Sequence, residues 1–176
     1  MKHMLFALCV LFAGFAATAE AQVQGQAQAP APAPASGSFS IKCSPNLVSY
    51  AFSQTQTVWT YACTTDAAVN GVPFGGLTFS ATNQRVTGGS VIWGVIVGTL
   101  TNGDRVFFQF HTDAKAVNGV DTAGETTYKI VGGTGIANGI AGSGTCKGSG
   151  APGQGSEMAC AGGYTVRCPG RMFCFG

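Results

Sequence analysis

Charge is scarce in this sequence. Nine Lys and Arg and seven Asp and Glu make up 9% of the 176 residues, for a formal net charge of +2. No basic cluster interleaves with aromatics, so the electrostatic footprint of a nucleic-acid binder is missing, and no nucleic-acid partner is expected. Histidine is nearly absent (His3 and His111) and there is no C-x-x-C pair. A zinc site built from closely spaced ligands therefore has no support, and neither metal nor cofactor is expected. No G-x-S-x-G occurs to present a hydrolase nucleophile. Beyond residue 21 the acids are Asp66, Asp104, Asp113, Asp121, Glu125 and Glu157, and no spacing forces two of them into a glycosidase pair. No segment carries a helical period, the apolar run Leu5 to Phe15 is too short to span a bilayer, and no later apolar run is long enough.

What is present begins with a leader. Lys2 and His3 precede an apolar core, Leu5 to Phe15, and Ala19-Glu20-Ala21 fits the small-x-small cleavage rule. Residues 1–21 read as a signal peptide, with cleavage after Ala19 as the alternative, which places the mature chain outside the cell or in the periplasm. Residues 22–38, rich in Ala, Pro and Gln, favour extended polyproline geometry and read as a linker, either a solvated leader or a stalk. Residues 39–176 form the expected domain. Six cysteines follow the signal: Cys43, Cys63, Cys146, Cys160, Cys168 and Cys174. An even count in an oxidising compartment reads as three disulfides, for which about fifteen pairings exist. The expected set is Cys43–Cys63, Cys146–Cys160 and Cys168–Cys174.

Strand signals recur at short spacing between Gly, Asn and Asp turns, and predict strands at 39–44, 57–64, 77–85, 90–100, 104–113, 125–131, 137–145 and 157–167. Eight strands are about the number that closes a small antiparallel barrel with a filled or ligand-sized interior. Asn102-Gly103 predicts a tight hairpin between 90–100 and 104–113. Both faces of 90–100 are apolar: Val91, Trp93, Val95 and Val97 on one, Ile92, Gly94, Ile96, Gly98 and Leu100 on the other. The side that does not face the interior is expected to meet a loop, the C-terminal tail or another subunit.

The stretch Tyr128 to Gly148, Y-K-I-V-G-G-T-G-I-A-N-G-I-A-G-S-G-T-C-K-G, combines a β-forming run with a glycine-laden return. Neither a calcium-binding repeat nor a phosphate-cradling loop fits it. Ala137 and Gly139 occupy the repeat's ligand and hydrophobic positions, and no helix follows to face a phosphate. The run from Val131 to Thr145, together with L-T-N-G-D-R-V-F-F-Q-F upstream, resembles the allene oxide cyclase and dirigent barrels, and bacterial secreted barrel-like relatives of that group in particular. The likeness covers roughly 77–148, with Ile136 and Ala137 where the group often has an aromatic and a polar residue. It implies an eight-stranded, calycin-like barrel, a dimer or trimer, and a pocket that steers ring closure of a reactive intermediate. It carries over no catalytic residue.

From the residues themselves, Trp59, Tyr61, Trp93, Phe107, Gln109, His111 and Tyr128 are the candidates to line such a pocket. Aromatic walls with a few convergent polar tips suit a small apolar ligand. The expected function is binding of a small apolar molecule. The alternatives are a cyclase or isomerase using Tyr61, Gln109, His111 or Tyr128 as its polar contact, and a structural surface module.

Overall fold

Alternation of apolar and small residues over nearly the whole described chain dictates sheet, and the last strand pairs with the first. The computed structural model describes residues 35–117, 120–149 and 155–167. Nine strands occur there: β1 (Ala35–Ala51), β2 (Gln56–Thr65), β3 (Ala68–Val69), β4 (Val72–Val86), β5 (Gly89–Leu100), β6 (Arg105–Val117), β7 (Val120–Gly133), β8 (Ile140–Ser149) and β9 (Ser156–Val166). Eight of them close an antiparallel barrel. β1 pairs with β2, β2 with β4, each strand from β4 to β8 with the next along the chain, and β9 returns to β1, with Phe39 opposite Cys160. The two-residue β3 pairs only with the start of β4, through the turn Asn70-Gly71. Both turn residues have positive φ, +50° and +79°, the conformation of a tight two-residue hairpin turn.

The expected strands are all present, most of them longer than the sequence marked. Ala35–Ser38, read as linker, are the first residues of β1. The glycine corner differs from the expectation: residues 135–137 form a single 3-10 turn, so β8 begins at Ile140 and not at 137. Gly135 and Gly139 take φ of +53° and +73°, which β-branched or bulky residues avoid. The Asn102-Gly103 hairpin joins β5 and β6 through residues 101–104, with Leu100 N–H donating to the Asp104 carbonyl at 2.8 Å.

The wall bends at inward glycines. A Cβ on Gly94 would lie 2.1 Å from the Ser80 carbonyl oxygen, and one on Gly142 2.2 Å from that of Gly163. Only glycine lets neighbouring backbones coil this closely, as a small barrel demands. Inside, Tyr61 stacks on Phe79 (5.0 Å between ring centroids) and Phe79 meets Phe110 edge-on. Outside, Trp93 and Val95 are 40% and 46% exposed, so among the described residues nothing covers the apolar outer side of β5.

Two disulfides are formed, Cys43–Cys63 and Cys146–Cys160, each between directly opposed residues of adjacent strands. The third expected pair, Cys168–Cys174, lies outside the described residues, as do residues 1–34. Replacing Cys146 and Cys160 together by Ser should cost about 3 kcal/mol of stability from loop closure alone. Urea unfolding measures this, and an unchanged midpoint would contradict the pairing.

Candidate functional site

The interior is not filled to the end of the barrel where β1 begins and β9 finishes. A cavity of about 340 Å³ opens there. Phe39, Phe74, Phe79 and Phe108 supply its aromatic wall, and Leu77, Ile96, Val106, Ile130 and Ile140 most of the rest. The connection from Asp66 to Gly71 folds over the mouth and contributes Val69, which is 3% exposed. Two hydrogen bonds hold this flap down. Ser40 N–H donates to the Asp66 carboxylate at 2.6 Å, and Asn70 N–H donates to the Tyr164 hydroxyl at 3.0 Å. The Ser40 backbone N–H keeps the Asp66 carboxyl below its ordinary range.

Tyr128 is the one phenol set deep in the cavity wall. Its ring lies across β8 and β9, where the positions facing it are Gly144 and Gly162. Its hydroxyl sits 2.4 Å and 2.1 Å from where those residues would carry a Cβ. An aromatic laid over strand glycines restores contacts that the missing side chains cannot make. Phe39 and Phe108 meet the ring edge-on, each at 6.1 Å between centroids. The hydroxyl makes no hydrogen bond among the described residues. Burial pushes its pKa up, so at neutral pH it is a donor awaiting an acceptor.

The structure brings only part of the expected pocket together. Trp59, Tyr61 and Tyr128 face inward, and of these Tyr128 alone lines the cavity while Trp59 and Tyr61 pack in the core. Trp93, Phe107, Gln109 and His111 correct the expectation, because they lie on the outer face. Each β6 residue faces the opposite way from its neighbour, and the more apolar set, Val106, Phe108 and Phe110, takes the interior. Trp93 is turned outward because the inward set of β5 carries the glycines that the bend requires. His111 and Asp113 do share a face. They form an exposed pair, Nε2 to Oδ1 at 3.3 Å, far from any interior group.

Other interior residues went unmarked. Phe74 and Phe79 were visible as aromatics in apolar runs, and Asn70-Gly71 was a hairpin signal in plain view. Thr126, which lines the cavity, bonds to Thr112 hydroxyl to hydroxyl at 2.7 Å. Near the other end of the barrel Asn83 is 6% exposed and its Oδ1 has no partner among the described residues. No three His, Cys, Asp or Glu side chains gather at one point in the described chain. No protein-family model matches the sequence, and no curated protein shows significant similarity to it.

Two predictions follow from this packing. Burial pushes the Tyr61 phenol up to about 12 from its ordinary 10.0. Between those values the unfolded chain has released the proton that the folded chain retains, so stability contributed by Tyr61 is complete below pH 10 and lost as pH rises toward 12. Unfolding midpoints at stepped alkaline pH should fall across that window, and Tyr61→Phe should flatten the fall. Separately, Gly162→Ala puts a Cβ 2.1 Å from the Tyr128 hydroxyl and 2.6 Å from the Ser143 carbonyl oxygen. Overpacking of this kind costs about 2 kcal/mol. Adding Tyr128→Phe should recover only part of that loss in the same urea titration, because the backbone clash remains.

Proposed function

We propose that this chain is a secreted barrel that binds one small, predominantly apolar molecule beneath the Asp66–Gly71 flap. The observation that carries the reading is the cavity itself: about 340 Å³, walled mainly by aliphatic and aromatic side chains, with one unpartnered phenol in its wall. That volume falls within the common range for small-molecule sites, and the single donor at Tyr128 would orient a ligand carrying one carbonyl or ether oxygen. The leader sequence and the cysteine usage support life outside the cytoplasm.

A cyclase or isomerase of the allene oxide cyclase or dirigent type would use the same cavity. The glycine-rich corner between β7 and β8 is the stretch that resembles that group, and a steered ring closure could rest on shape and desolvation. Carriage is the better-supported reading. The ionisable side chains on the cavity wall are Asp66, Tyr128 and Tyr164, and Asp66 is already engaged by Ser40 at the rim. Among the described residues of the lining no histidine, lysine or glutamate is present to act as a general base beside Tyr128. A purely structural role gives no account of an apolar chamber kept open.

Titration with N-phenyl-1-naphthylamine, a neutral fluorescent probe, tests the reading. Saturable binding at one site per chain is expected. Ile130→Trp, which fills part of the cavity, should weaken it at least about tenfold, a loss of about 1.4 kcal/mol. Ile140→Phe serves as a second filling variant, and Trp93→Ala on the outer face should bind as the wild type does. Absence of saturable binding, or equal binding by both filled variants, would refute the cavity as the site.

A further inference from the structure

β1 is paired on both sides only in its middle. Residues 35–40 bond to β9 alone, and Leu47–Ala51 to β2 alone. The chain treats these two one-sided stretches differently. At the mouth, the Ser40 N–H donates to Asp66 at 2.6 Å, and its carbonyl accepts from the Thr65 hydroxyl at 2.7 Å. Side chains thus occupy the outward polar groups of Ser40, the residue of that stretch nearest β2. At the opposite end β9 starts at Ser156, opposite Cys43, and β1 runs on past it.

The direction of the backbone groups there can be worked out. Phe52 N–H donates to the Gln56 carbonyl at 2.9 Å. In an antiparallel ladder such residues alternate with residues whose groups point away from the partner strand. Val48 and Tyr50 therefore bond to β2, while Ser49 and Ala51 turn N–H and C=O to the free side. No described residue bonds them there.

Edges are ordinarily guarded by charge, proline or a bulge. Here Pro45 and the bulge between Cys43 and Leu47 end the guard before the free stretch begins. From Cys43 to Thr65 there is no charged residue. Val48 and Tyr50 are 75% and 71% exposed, beside an edge of donors and acceptors that no described residue engages.

We propose that Leu47–Ala51 of two copies pair edge to edge, antiparallel about a two-fold axis. An antiparallel edge is self-complementary, and a two-fold sets each residue against its own sequence. Such symmetry penalises any charged edge by placing like charges together, and this edge has none. A partner chosen by charge would find nothing to read. The pairing is independent of the cavity and its ligand. The contact is small, so dimerisation is weak and concentration-dependent.

Sedimentation velocity on the purified, oxidised protein over a concentration series is the test. The wild type should shift from monomer to dimer. Ser49→Pro removes an outward N–H and leaves the bonds to β2, so it should keep the wild-type far-UV spectrum and remain a monomer. Val48→Lys with Tyr50→Lys, which sets like charges across the axis, should do the same. A wild type that stays monomeric across the series overturns the proposal. So does a Ser49→Pro protein that dimerises normally, or a dimer that Trp93→Lys dissociates and the edge variants do not.

Discussion

Closure of the sheet by β9 on β1 is the constraint on which the structure rests. A meander of eight strands would otherwise present two long edges to solvent, each with a single charged residue (Lys42 on β1, Glu157 on β9), the arrangement that invites aggregation. The closing seam, Ala35–Cys43 against Ser156–Tyr164, joins residues more than a hundred positions apart, and it forms only if every intervening hairpin has kept its register. Both disulfides sit beside this seam, one on β1 and β2, the other on β8 and β9. Each ties one strand of the seam to its other neighbour, so they hold the two flanking hairpins while the seam itself is joined by backbone hydrogen bonds and the exposed Lys42–Glu157 ion pair at 3.2 Å.

Closing so small a circle requires inward positions without side chains, and the cavity is a consequence of that requirement. Gly142, Gly144 and Gly162 let β8 and β9 coil, but they leave bare backbone on the inner wall. Tyr128 covers the gap by lying across Gly144 and Gly162, and its ring is thereby held flat against the wall, out of the barrel's centre. Phe39 and Phe108 brace it from either side. The same glycines that set the curvature thus keep a large side chain out of the chamber and fix where its hydroxyl lies.

Much of the fold was legible in the sequence because a strand's signature is local. Alternation, turn residues and cysteine spacing marked eight strands and the two disulfides now described. The site was legible only in part. Alternation divides a strand into two faces and does not say which is inside; that depends on which face of every other strand joins the same core. On β6 the expected pocket residues Phe107, Gln109 and His111 share one face, whereas burial favours the other, which is free of charge: Val106, Phe108 and Phe110. On β5 both sets were apolar, and glycine, easily read as a weakness in a strand, decided the matter by demanding the inside. The flap leaves little trace in the sequence because Ala68–Val69 is too short for strand alternation, although Asn70-Gly71 announces its turn.

The mouth gathers what the rest of the barrel lacks. β1 begins and β9 ends there, so the chain both reaches and leaves the barrel at the open end of the chamber. The flap is bonded to both of these strands, Asp66 to Ser40 on β1 and Asn70 to Tyr164 on β9. Each bond is a single contact at the edge of solvent, of the kind worth about 1 kcal/mol net. The wall below, by contrast, is held by continuous ladders and by the Cys146–Cys160 bridge. Stability is therefore graded along the barrel axis, and the flap is the covering most easily displaced. An apolar molecule entering through it, as the proposed binding role requires, would break the two bonds to β1 and β9 and leave the wall intact.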